Sequence, residues 1–407
     1  MDTVHAPRDS VLKHPGYLNF AASRVFSSLS FQCAAVAMGW MIYDKTHSAF
    51  ALALVGFCQF LPMVILTFVV GHVADRFDRR RIGLICQLIE AATAAVLAVA
   101  VWQDWLTPAG ILVAVTIMGA TVAFERPTMA ALLPNIVPSS MLQRAVATST
   151  SMMQTALIIG PSLGGLLYGA HPVAPFAVAA VMFTAASINV ISIRMTWTPS
   201  KREPVTLSSV FAGVSFIKSR PVMLGTISLD LFAVLLGGAT ALLPMFARDI
   251  LHAGPWGLGL LRAAPAIGAL AMSIVLARRP LTSNVGMKMF GAVAVFGLAT
   301  IVFAVSTNIA LSVAALLVVG ASDTVSVVVR SSLVQLLTPD EMRGRVNAVN
   351  SLFIGTSNQL GEFESGMLAG FMGPVAAGII GGVGTIAVVL LWTRLFPDLA
   401  KVKTLQG

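Results

Sequence analysis

Eight ionisable side chains stand inside long apolar runs: Arg24, Glu90, Asp230, Arg262, Asp323, Arg330, Glu362 and Glu364. A charge at the centre of a membrane-spanning helix costs about 2.5–3.5 kcal/mol on insertion scales, so such groups face a cavity or a partner. Desolvation favours the neutral form of a carboxyl group, so Glu362 or Glu364 could load a proton on one side and release it on the other. Their alternative is a buried pair with Arg24 or Arg262, or a structural contact near one rim. Asp230 is a comparable proton candidate, and Arg24 could bind an anionic solute or snorkel to lipid headgroups. Asp323 and Arg330 lie seven apart on one helical face, which suits ion pairs with other helices as well as a relay. Gln32, Gln59, Gln154, Asn358 and Gln359 add hydrogen-bonding groups, and Phe31, Phe57, Phe60, Trp40 and the methionines add adaptable apolar surface.

The elements that must carry these groups are long. The chain is 57% hydrophobic and 11% charged, with a mean hydropathy of +0.87, against about 25% charged in soluble domains. Crossing a bilayer takes ~20 apolar residues. Twelve stretches qualify: 17–43, 49–71, 82–103, 108–127, 139–169, 173–194, 222–247, 256–278, 285–305, 309–336, 340–370 and 374–395. They are too continuous for barrel strands, and backbone groups in hydrocarbon must be satisfied internally. The expected class is an all-α membrane protein with twelve transmembrane helices.

Basic residues resist translocation. Arg76, Arg79, Arg80 and Arg81 crowd one short loop, and alternating sides from there places twenty of the 26 Lys and Arg together, among them Arg8, Lys13, Arg194, Lys201 and Arg202; only Lys45 and Arg248 fall opposite. The net charge of +9 is therefore topological bias, not a nucleic-acid footprint, and both termini are expected in the cytoplasm. Cys33, Cys58 and Cys86 read as small hydrophobes, without disulfide or metal spacing. The first sixteen residues lack a signal-peptide core, so the first helix is expected to remain as an anchor.

Sliding the chain against itself by 201 residues superposes Pro138 on Pro339, Met141 on Met342, Arg144 on Arg345, Ala147 on Ala348, Gly160 on Gly361, Gly165 on Gly366, Leu167 on Leu368 and Gly169 on Gly370. One offset holding over a loop and a helix implies two pseudo-symmetric six-helix bundles in parallel arrangement. The expected division is 1–195, a cytoplasmic linker at 196–220 with an amphipathic run from Leu207 to Ile217, and 221–407. The offset sets Glu362 and Glu364 opposite Pro161 and Leu163, an asymmetry that suits a site.

These features, with Gly71, Asp75, Arg76, Arg79 and Arg80 in a Gly-x-x-x-Asp-Arg-x-x-Arg-Arg pattern, resemble the major facilitator superfamily. That resemblance implies a latch in which Asp75 meets the helix start at Asp340 and Glu341 and Arg79 meets Glu125. Because two acids would repel Asp75, Arg343 or Arg345 is the expected partner. The second half reads Ala277, Arg278, Arg279, Pro280 and lacks the acid. Gly160, Pro161, Ser162, Leu163, Gly164 and Gly165 resemble the Gly-Pro-x-x-Gly-Gly core of the exporter and antiporter motif, although Ala147 and Ala156 replace its upstream glycines. The same hexamer has the Gly-x-Ser-x-Gly spacing of a hydrolase elbow, but that needs a strand-turn-helix context, so an enzyme is not expected.

Tyr43 to Ser48, Gln59 through Pro62, Glu125 and Pro127 to Pro138, and Ala263 through Gly268 resemble the transmembrane secretion effector branch, which contains the enterobactin exporter. The arginine that many relatives carry early in helix 4 is missing between Ala109 and Gly119. The resemblance implies a monomeric secondary transporter of the bacterial inner membrane, surrounded by lipid, without cofactor, exchanging protons for an amphipathic organic solute such as a drug or siderophore. No Walker-type segment supports direct use of ATP. The rivals are an uptake carrier, a non-transporting sensor or lipid scaffold on the same fold, and a membrane-embedded enzyme.

Overall fold

The computed structural model describes residues 11, 14–193 and 207–404, without the side chains of 15, 67–68, 71–72, 74–75, 139, 207–210, 239, 340 and 348. Arg8, Lys13, Arg194, Lys201 and Arg202 of the charge pattern, and the linker before Leu207, lie outside the described residues. Six long helices make the first bundle: α1 (Pro15–Thr46), α2 (Ala49–Arg76), α3 (Arg79–Trp102), α4 (Pro108–Leu132), α5 (Ser139–Ala170) and α6 (Ala174–Ile191). After the linker helix α7 (Leu207–Lys218), the second bundle opens with α8 (Pro221–Leu236), continues through a 3-10 turn, a short α9 (Leu243–Met245) and a π-helical stretch at Phe246–Ile250, and then α10 (Gly254–Arg278), α11 (Val285–Val305), α12 (Ile309–Leu337), α13 (Asp340–Met372) and α14 (Pro374–Leu395).

Local chemistry sets the boundaries. Ser48, Asp78, Thr107 and Asn308 each cap a helix by accepting a hydrogen bond from a first-turn amide, and Pro108 and Pro374 occupy first-turn positions where no amide hydrogen is needed. Two expectations need correction. The fourth helix does not stop at 127: Pro127 lies inside α4, which runs on to Leu132, because one missing backbone bond in a packed spanning helix is tolerated where surrounding structure can re-satisfy the freed groups. The seventh is not one continuous helix: α8 ends at Leu236, beside the consecutive Gly237 and Gly238.

Ten spans among the described residues are long and apolar enough to cross a membrane. α5 and α13, at 32 and 33 residues, exceed a bilayer in length, at about 1.5 Å per residue, but polar side chains dilute their apolar windows. Outward faces are strongly apolar, with Val181 70% and Leu390 62% exposed, as a lipid-solvated surface requires.

The bundles meet along α2 with α13 and α5 with α10, contacts that exchange under the 201-residue offset. Along the first, Phe50 stacks edge-on to Phe371 at 5.2 Å and Phe57 lies 5.5 Å from Phe363. Along the second, a Cβ on Gly165 would lie 2.5 Å from the Pro255 carbonyl oxygen and one on Gly259 would lie 2.7 Å from that of Pro161, so the backbones nearly touch. The linker helix docks on the second bundle, where Ile217 joins Met223, Val334 and Val346.

Candidate functional site

The exporter-like hexamer uses two faces of α5. Gly160 and Gly164 admit Gln32 and the Cys33 backbone of α1, whereas Pro161 and Gly165 abut α10 of the other bundle. Four-residue spacing places each pair on one helical face.

Where α8 breaks, Gly238 sits against the Gly361 carbonyl, and Thr240 Oγ1 donates to Glu362 Oε1 at 3.3 Å. Glu362 also faces Gly56 of α2 across the seam, with Arg262 of α10 as its charged neighbour; the Arg262 guanidinium in turn lies against Gly39 of α1. α13, α2, the 3-10 turn and, through the charge of Arg262, α10 thus converge on Glu362; of the two arginines expected near it, Arg262 and not Arg24 is the neighbour. Glu364 is part-buried and takes a 3.4 Å hydrogen bond from Ser365. Farther along α13, Asn358 is exposed and donates back to the Ile354 carbonyl.

Asp230 is not a lone acid. It forms a buried ion pair with Arg330 of α12. Asp323 does not join Arg330 but borders a pocket of about 10 Å³ with Asp230 and Ser326, space for one water at most.

In the first bundle Glu125, 7% exposed, accepts from Ser27 Oγ of α1 (3.0 Å) and Gln87 Nε2 of α3 (2.7 Å). Gln87 also bonds Ser23, while Glu90 accepts from Thr121 at 2.8 Å. Glu125 is therefore an interior residue two turns from the end of α4, not the rim acid the latch reading requires. Arg79 Nη1 donates to the Ala131 carbonyl at 2.9 Å. Beside Glu125 a cavity of about 310 Å³ opens between α1, α4 and α5, bordered by Arg24, Gln32 and Arg126. Gln59 does not line it; its backbone packs against Gly119 of α4. Arg126, on the wall of this cavity, carries no sequence expectation of a site, because the following Pro127 reads as a helix end.

At the loop, Asp78 caps α3 and pairs with Arg80 at 2.7 Å, while Arg80 Nη1 reaches the Ile193 carbonyl at 2.8 Å. Burial raises the Asp78 carboxyl, but the Arg80 hydrogen bonds and the charges of Arg80 and Arg81 bring it below its ordinary range. Arg76 is exposed. Gly71 and Asp75 are helical in backbone, but their side chains, and that of Asp340, lie outside the described residues.

The family model for transmembrane secretion effectors matches residues 12–404. The chain belongs to that family. Enterobactin exporters are similar throughout: EntS of Citrobacter koseri is 26% identical, with 97% of this chain and 95% of the relative covered, and EntS of Escherichia coli is 24% identical over the same shares. Among solved structures, the nucleoside transporter NupG superposes with a TM-score of 0.73 at 13% identity, covering 94% of this chain and 100% of that one. A bacterial homologue of ferroportin in an inward-facing state gives 0.69 at 16%, covering 95% and 99%. The family member described here is thus a multi-pass membrane transporter with the major facilitator fold.

Proposed function

We propose that the protein is a proton-coupled exporter of an amphipathic organic solute, working by alternating access in the bacterial inner membrane with the arginine loop and both termini in the cytoplasm. The observation that carries this reading is the junction at Glu362, where a carboxylate sits on the seam between two pseudo-symmetric bundles that touch through glycines. A group so placed changes surroundings whenever the bundles rock, which is what coupling a proton to transport demands. Glu362 is the first proton carrier and Glu364 the second; the Asp230–Arg330 pair braces the second bundle.

The end away from the arginine loop is held shut. Arg248 of the π-helical stretch pairs with Asp44 at the end of α1 at 2.8 Å, and Tyr43 donates to Asp249 next to it. These inter-bundle links act as the outer gate. The enterobactin exporters among the relatives support outward movement of a siderophore-like solute.

The test is flux in proteoliposomes under an imposed pH gradient. Efflux-direction transport that E362Q abolishes, with E364Q intermediate, is expected. Transport driven in the uptake direction, or gradient-independent flux in the wild type, would overturn the reading.

A further inference from the structure

We propose that the cavity between α1, α4 and α5 holds the negatively charged group of the solute between Arg24 and Arg126, which makes the substrate an amphipathic anion and not a cationic drug. The proposal rests on the transport reading only for what happens to the ligand after it binds.

The two guanidiniums border the same space, yet neither forms a hydrogen bond or ion pair with a described residue. Glu125 lies within electrostatic reach of both but its oxygens are already engaged by Ser27 and Gln87. Glu90, the other acid nearby, is 0% exposed, bonds Thr121 and does not line the cavity. The lining therefore carries two fixed positive charges against one occupied carboxylate. Arginine is an obligate cation with a planar donor fork suited to carboxylates and other oxyanions; Arg24 is part-buried and Arg126 exposed, so both forks are accessible to an anion.

Arg24 is not placed as a headgroup anchor. It is part-buried, faces the cavity and lies 5.8 Å from the Phe20 ring. The rest of the wall suits the body of an amphipathic molecule: Phe31, Val122 and Leu157 with the pliable Met129 and Met153. Ser28 and Gln32 add neutral hydrogen-bonding groups at the cavity edge. A volume of about 310 Å³ is at the lower end of small-molecule sites, roughly 300–1,000 Å³, and accommodates an aromatic acid or one arm of a larger anion.

The probes are 1-naphthoate and 1-naphthylmethylammonium, similar in size and opposite in charge, titrated calorimetrically into the full-length protein in nanodiscs. Naphthoate is expected to bind at least about tenfold more tightly, and R24Q and R126Q each to weaken it about tenfold, the scale of one lost charge-assisted hydrogen bond. R24K should recover part of the loss, and an unchanged melting temperature shows that each variant is folded. Equal binding of the ammonium, no saturable binding of naphthoate, or naphthoate binding untouched in both glutamine variants would overturn the proposal. In proteoliposomes the two readings separate: naphthoate that binds but is not moved by any gradient removes the transport reading and leaves the anion site. A cation moved normally by R24Q removes the anion site and leaves transport.

Discussion

The contact between the first and fourth helices of each bundle is built from charge in both halves, but to opposite ends. In the second bundle Asp230 of α8 and Arg330 of α12 close on each other, buried to 5% and 4% exposure, beside a pocket of about 10 Å³. In the first, Ser27 of α1 meets Glu125 of α4 at the positions the 201-residue offset maps onto Ser228 and Ser326. There the acid is held by neutral donors, and its arginines remain available beside about 310 Å³ of space. A closed pair spends its charge inside the fold; an acid satisfied by serine and glutamine leaves cationic charge over for a ligand. Total charge therefore does not separate brace from site, whereas pairing does.

The largest effect should come from breaking the closed pair. D230N leaves Arg330 buried without its counter-charge, and removing one partner of a buried pair costs about 3–5 kcal/mol. Thermal unfolding in detergent should show that loss, and the double variant D230L/R330M should recover much of it. If D230N keeps full thermal stability and instead uncouples flux, Asp230 is a proton carrier and the contrast between the halves is lost.

The first-bundle acid should cost less. E125Q keeps an acceptor for Ser27 or Gln87 but loses the charge that strengthens both bonds; hydrogen bonds to charged groups contribute about 1.5–3 kcal/mol. A melting-temperature drop smaller than that of D230N is expected. A larger one would mean that Glu125, not Asp230, is the structural linchpin.

The seam offers a third comparison. A Cβ on Gly165 meets the Pro255 carbonyl oxygen at 2.5 Å, while one on Gly366, its counterpart by the offset, meets the Ala53 Cβ at 2.8 Å. Overpacking costs about 1–3 kcal/mol; both glycines would meet backbone, with Ala53 Cα 2.9 Å from the Gly366 Cβ, but Gly165 has the closer contact. G165A should therefore impair flux and stability more than G366A, read in the same reconstituted assay. Equal effects would indicate that the two seams give way alike.

How much of this the sequence disclosed follows from what each residue type signals. Hydropathy and the offset were enough for the helices and the two bundles, because lipid imposes apolar length on every span and a duplicated helix keeps its glycines. Arg24 was legible as a buried cation with an anionic ligand among its options. Arg126, which borders the same cavity, was not, since Pro127 signals a stop although packing carries α4 on to Leu132. Pairing was the least visible feature: nothing local distinguishes Asp230, which meets an arginine a hundred residues away, from Glu362, which meets Thr240 at a helix break that only its tandem glycines hinted at.

The smallest effect concerns the loops. Asp78 caps α3 and holds Arg80, whereas the equivalent position is Arg279 and Asn284, the residue before α11, makes no side-chain cap. D78A should cost about 1 kcal/mol, the usual value of a cap, and the matching second-bundle loop has no such contribution to lose. The sign with pH follows from the lowered carboxyl: its stabilisation is complete above the ordinary aspartate value, about 3.9, and is lost as pH falls through the lower folded value. Melting temperatures taken from pH 6 downward should thus fall less steeply for D78N than for wild type, by a small margin because the pair is partly open to solvent and screened by salt. Parallel curves would show that Asp78 serves as a cap alone and that its charge on Arg80 adds nothing to the asymmetry between the loops.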